Sequence, residues 1–146
     1  MTPQKSTLTP LGRFILDRRA ELAMQQVELA QRIGVHATYL STIETGGKTP
    51  SKVDFLERLA KGLELNGEEK EVLFAEARKS RRSITLPRNL PLTGYEVVDH
   101  LVGYLDGANE QQLAFLKTML EGLKRMQRND HLPAAGATSS LEEVKM

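Results

Sequence analysis

The sequence predicts an all-α protein. Apolar residues recur at helical spacing nearly everywhere, and the one alternating stretch, Ser83-Ile84-Thr85-Leu86, is too short to found a sheet. Helix start and stop residues punctuate the chain at the intervals that short helices require. The expected organisation is five helices over residues 1–82, a linker over 83–92, a two-helix hairpin over 93–128 and a disordered tail over 129–146.

Each element has a local cause. Thr9 as N-cap and Pro10 at the first helical position open a helix that runs to about Ala23, with Leu11, Phe14, Ile15, Arg18, Arg19 and Leu22 on one face. A short helix around Gln26 to Ile33 places Val27, Leu29, Ala30 and Ile33 inward and stops at Gly34, which can take the left-handed conformation of a tight turn. The third runs from His36 or Ala37 through Thr45, burying Leu40, Ile43 and part of Tyr39, and Gly46-Gly47 ends it. Ser51 with Asp54 reads as a capping-box-like start for the fourth, whose core residues are Val53, Leu56, Leu59, Ala60 and Leu63. Asn66-Gly67-Glu68-Glu69 caps the fifth. Its acids lie in the first turn and Arg78, Lys79, Arg81 and Arg82 near its end, the arrangement a helix dipole favours, so that basic cluster is read as a helix end before a DNA contact.

Two prolines and no helical period mark the linker. Thr93-Gly94-Tyr95-Glu96 reads as a capping box for a sixth helix ending near Gly107, and Asn109 with Gln112 starts a seventh. Leu101 and Leu105 on the sixth, with Leu113, Leu116, Leu120 and Leu123 on the seventh, form the apolar seam expected for dimerisation. A hairpin this small cannot bury both apolar faces alone, so it packs on the first domain or on another copy, and the second is favoured.

Composition excludes several function classes. The chain has 146 residues and no cysteine, which removes disulfides, thiol nucleophiles, thiolate zinc sites and iron–sulfur clusters. No apolar run is long enough for a membrane span, and the first ten residues lack the pattern of a signal peptide, so a cytoplasmic, nucleoid-associated protein with no membrane partner is expected. Net charge is +1, with 14 Lys and Arg against 11 Asp and Glu in residues 1–82 and 6 against 8 in residues 83–146, a mild basic bias at the N-terminal end. There is no Gly-rich phosphate loop, HExxH or nucleophile elbow, and Gly46-Gly47-Lys48-Thr49 lacks the upstream glycine and strand of a P-loop. His100 and His131 have no partner at ligand spacing. Neither enzymatic activity nor a cofactor or metal is expected.

The informative stretch runs from Gln25 to Gly46. Ala30 is small where two short helices cross, Gly34 permits the turn, and Val35, Leu40 and Ile43 fill the space beneath it. The outward face of the second helix is then Ala37, Thr38, Ser41, Thr42 and Thr45, short and uncharged, which suits the major groove, where long acids would repel phosphate.

Residues 11–65 resemble the helix-turn-helix domain of the Cro and phage-repressor superfamily, the XRE type of bacterial regulator. The resemblance rests on Arg19, Gln26, Leu29-Ala30, Gly34-Val35, Leu40-Ser41, Ile43-Glu44, Gly46, Pro50 and Leu59-Ala60 in the family's spacing. It implies a recognition helix over 37–45 in the major groove, with Ala37, Thr38 and Thr42 at base edges. Gln25, Gln26, Tyr39, Ser41, Thr45 and Lys48 would then meet the DNA backbone. It also implies a structural salt bridge between Arg19 and Glu44. Three positions depart from or qualify the pattern: Gln25 is a weaker cap than the usual Ser or Thr, Ala37 replaces a polar side chain, and His36 takes the cap position of the third helix. The bland alternatives are solvated threonines at 38 and 42 and partial burial of Tyr39. The implied function is a regulator, in the first instance a repressor, that binds an inverted-repeat operator in double-stranded DNA as a homodimer, with affinity falling steeply with salt. The alternative is an antitoxin or master regulator whose C-terminal hairpin binds a toxin or antagonist protein.

Overall fold

The computed structural model describes residues 8–130, and over these the chain forms seven α-helices and no strand. They fall into two compact units that divide after Thr85. Residues 131–146, most of the stretch read as a tail, lie outside the described residues, whereas Asn129 and Asp130 belong to the last helix.

The first unit holds α1 (Pro10–Glu21), α2 (Gln26–Ile33), α3 (Ala37–Glu44), α4 (Val53–Gly62) and α5 (Gly67–Lys79). α1 packs on α3 and α5, and α2 packs on α3 and α4. Each helix drives fully buried leucines or isoleucines into one core: Leu11 and Ile15, Leu29 and Ile33, Leu40 and Ile43, Leu59, and Leu73. Burial of such side chains contributes roughly 1.5–3 kcal/mol each, against termini worth about 1 kcal/mol.

That ranking explains where local start signals hold and where they yield. Thr9 accepts from Gly12 N at 3.1 Å, and the Asn66–Glu69 box forms with both reciprocal bonds, at 2.8 and 3.0 Å. Ser51 does not cap α4. Lys52 holds the cap position without a side-chain bond, because the helix begins where Phe55, Leu56 and Leu59 must turn inward. Val53 and Val27, expected in the core, are 60% and 52% exposed, since both fall at the edge of their helices' buried arcs. Phe55 fills the inner position instead and meets Tyr39 edge-on. Gly12 was not singled out in the sequence, yet a Cβ there would strike the carbonyl of Glu44, so α1 and α3 can approach this closely only through a glycine.

In the second unit, α6 (Leu92–Gly107) and α7 (Glu110–Asp130) meet at Ala108-Asn109. Asn109 and Gln112 exchange two 2.9 Å bonds, a complete capping box. Thr93 makes no cap. Pro91, with φ −67° and ψ 162°, sets the entry of α6 two residues earlier, and Gly94 N closes the first turn on the Pro91 carbonyl at 2.8 Å. Tyr104 Oη donates to the Gln112 carbonyl across the joint at 3.2 Å, but the helices do not pack along their length and neither buries a residue. The pair is the expected two-helix hairpin, splayed into an open V in which Val98, Leu101, Leu113 and Leu116 are half-buried and the other large apolar side chains stay exposed.

Candidate nucleic-acid interface

The turn between α2 and α3 is set by Gly34, the C-cap of α2, at φ 73° and ψ 37°. Its N–H donates to the Gln31 carbonyl at 3.3 Å and that of Val35 to the Ala30 carbonyl at 3.0 Å, which closes the helix end and redirects the chain. Two residues later α3 starts with His36 at the cap position, where its side chain makes no capping bond. α3 buries Leu40, Ile43 and Glu44 and turns its remaining face outward.

Glu44 is the one acidic residue of α3, and it is 3% exposed. Arg19 Nε donates to Oε1 at 2.7 Å and Arg19 Nη2 to Oε2 at 3.1 Å, a two-pronged pair that joins α1 to α3. The third guanidinium nitrogen donates to the Met24 carbonyl at 2.9 Å. Gln26 Nε2 also donates to Glu44 Oε2, at 2.8 Å. The first residue of α2 is thus tied to the last residue of α3. Gln25, exposed at the N-cap of α2, contributes no side-chain bond, so the start of α2 rests on this tertiary knot. The family spacing marks Arg19 and Glu44 as partners; nothing local in the sequence marks the part Gln26 plays in holding them.

Of the five outward residues expected on α3, Thr38 and Thr45 are exposed, while Ala37, Ser41 and Thr42 are half-buried. Ala37 packs against the core with Val35 and Tyr39. Thr42 Oγ1 donates to the Tyr39 carbonyl at 2.6 Å and Thr45 Oγ1 to the Ser41 carbonyl at 2.8 Å. With its proton placed there, Thr42 offers outward partners an acceptor oxygen and a methyl group.

Tyr39 and Lys48 come together beside this face. The Lys48 ammonium lies 5.1 Å over the Tyr39 ring, which meets Phe55 at 6.0 Å and 89°, and the Arg58 guanidinium lies 5.6 Å over Phe55. Lys48 N donates to the Thr42 carbonyl at 3.0 Å, so the loop after α3 folds back along it. Arg82 Nη2 donates to the Gly46 carbonyl at 3.0 Å. The sequence places Arg82 at a helix end, but α5 stops at Lys79 and Arg82 braces the loop that carries Lys48. Only a folded chain brings positions 46 and 82 together.

Among the described residues no cluster of His, Asp or Glu could hold a metal ion, and no helix is long and apolar enough to cross a membrane. A family model described as a helix-turn-helix domain matches residues 10–73. The chain is 46% identical over 41 residues to the ImmF control region 10 kDa protein of Bacillus phage phi105; the match covers 28% of this chain and 46% of that protein. The chain thus spans about half the length of the curated relative it matches. No solved structure matches. The family model and the phage relative agree with the α2–turn–α3 geometry, and residues 10–73 are similar to a helix-turn-helix domain.

Proposed function

We propose that this chain is a sequence-specific DNA-binding regulator of transcription. One observation carries the reading: the only acid of α3 is withdrawn into a buried knot with Arg19 and Gln26, leaving an outward face of alanine, serine and threonines with no negative charge. An uncharged face of short side chains can enter the major groove without repelling phosphate. In this reading Thr38 and Thr42 face base edges with Ala37 beside them, Thr42 through its acceptor oxygen and methyl. Gln25, Gln26, Tyr39, Ser41, Thr45 and Lys48 lie along the DNA backbone. A homodimer presents two such helices to half-sites about one helical turn (roughly 34 Å) apart on an inverted repeat, and occupancy of that operator represses by occlusion. The name of the phage relative, a control-region protein, agrees with this reading.

The test is a titration of the full chain against DNA from upstream of its own gene, with random DNA alongside and at two salt concentrations. Tight, salt-sensitive binding that prefers the upstream DNA supports an autoregulating regulator. Equal weak binding to both DNAs removes that operator from the reading.

A further inference from the structure

The open V of α6 and α7 is the largest unpartnered apolar surface of the second unit. Side chains as large as Val97, Val102, Leu105, Phe115, Leu123 and Met126 are all at least 50% exposed. A cleft of about 390 Å³ is lined from both helices, by Leu101 and Tyr104 on one side and Leu116 and Met119 on the other. A larger hollow, about 920 Å³, follows α7 past Leu105. Exposed apolar surface on this scale marks an interaction site.

Charge says what covers it. α6 carries Glu96, Asp99 and Asp106 and no lysine or arginine, whereas α7 carries Lys117, Lys124, Arg125 and Arg128 against Glu110, Glu121 and Asp130. Asp99 and Asp106 are seven residues apart and share one flank of α6; Lys117 and Lys124 share one flank of α7 in the same way. Among the described residues none of these four makes an ion pair. An α7 laid antiparallel along α6 sets Asp99 beside Lys124 and Asp106 beside Lys117 in a single register. Within one chain this register is out of reach, because the joint at Ala108-Asn109 holds Asp106 against the first turn of α7, roughly 8 Å short of Lys117 at 1.5 Å per residue.

We propose that the V is filled by a second copy of this chain, the α7 of each lying against the α6 of the other, so that two pairs close into one four-helix bundle by exchanging arms. This deepens the homodimer of the reading above and rests on it for its biological use, but its test involves no DNA. A second copy supplies both the acidic and the basic arm at once, and two helices of 16 and 21 residues that bury no side chain, with only Val98, Leu101, Leu113 and Leu116 among their large apolar residues even half-buried, have the length for an ordinary interface of about 800 Å² per partner.

The test uses two full-length variants, one with Asp99→Lys and Asp106→Lys, the other with Lys117→Glu and Lys124→Glu, studied by sedimentation equilibrium separately and mixed. Every substituted side chain is exposed, and circular dichroism checks that the helices persist. The expected result is a dimeric parent, each variant weakened in self-association by roughly tenfold or more, and recovery in the equimolar mixture, where opposite charges face each other again across the copies. A mixture that associates no better than its components overturns the exchange of arms, as does a parent that stays monomeric at tens of micromolar. A parent that dimerises as described but shows no preference for operator DNA would sink the regulator reading alone.

Discussion

At the scale of single residues, the candidate interface depends on a charge that is not on its surface. Glu44 would face phosphates if it were exposed; buried against Arg19 and Gln26, it fixes α3 instead. Removing one partner of such a pair leaves an uncompensated buried charge. Arg19→Ala is therefore expected to cost about 3 kcal/mol in urea unfolding, and a second change, Glu44→Gln, to restore part of it, because the orphaned charge is then gone while the contact with Gln26 remains possible. An unchanged unfolding midpoint in Arg19→Ala would contradict the structural role. Thr42 stands at the opposite extreme, since its hydroxyl is spent on the Tyr39 carbonyl of its own helix. Thr42→Ala should leave stability nearly unchanged and reduce discrimination between operator and random DNA by on the order of 1–3 kcal/mol. Equal loss on both DNAs would place Thr42 at the backbone. Arg19 and Glu44 could be named from the sequence because their spacing belongs to a family pattern. The bonds of Gln26 and Arg82 are not legible in the sequence, because their partners, at 44 and 46, become neighbours only through the turn at Gly34 and the return of α5.

At the scale of elements, legibility follows the range of the interaction. The starts of α1, α5 and α7 are carried by side chains within three residues, and the sequence shows them. The starts of α4 and α6 are not, because packing and the fixed φ of Pro91 act there against a weak local signal. The start of α1 has a second, distant component. Leu11 N, one of the donors a helix N-terminus leaves without an intrahelical partner, donates to Ser80 Oγ at 2.8 Å, and Ser80 in turn donates to the Glu76 carbonyl at 2.6 Å. One buried hydroxyl just past α5 thus holds the beginning of α1, 69 residues away. Ser80→Ala deletes the acceptor and leaves a buried N–H unsatisfied, which should cost roughly 1–3 kcal/mol. Hydrogen exchange reads it directly: the Leu11 amide should lose protection well beyond the fall in global stability. Protection that falls only in step with global stability would mean that Thr9 caps α1 unaided. The openness of the C-terminal pair was hidden for a related reason, since the leucine stripe predicts that α6 and α7 need a partner without saying whether they are each other's.

At the scale of the whole molecule, the number of recognition units on the DNA should be readable from a surface charge. Among the residues proposed to lie along the DNA backbone, Gln25, Gln26, Tyr39, Ser41 and Thr45 are neutral and Lys48 is the cation, seated over the Tyr39 ring and held by a loop that Arg82 braces. Counterion release depends on cations, and each phosphate neutralised adds about 0.9 to the slope of log affinity against log salt concentration. Lys48→Gln should weaken binding to operator and random DNA alike, as removal of a backbone contact does. The change in slope then counts copies: a reduction of about 2 means that both Lys48 side chains of a dimer are engaged, and about 1 that a single copy docks. Measured beside the charge-reversed α6 and α7 variants, the slope joins the two units without reference to how they are arranged. If exchange of arms creates the DNA-binding species, each variant alone should show the smaller dependence on Lys48 and their mixture the larger. Two Lys48 contacts in variants that remain monomeric by sedimentation would mean that DNA itself brings the copies together, and would leave α6 and α7 without a part in operator recognition.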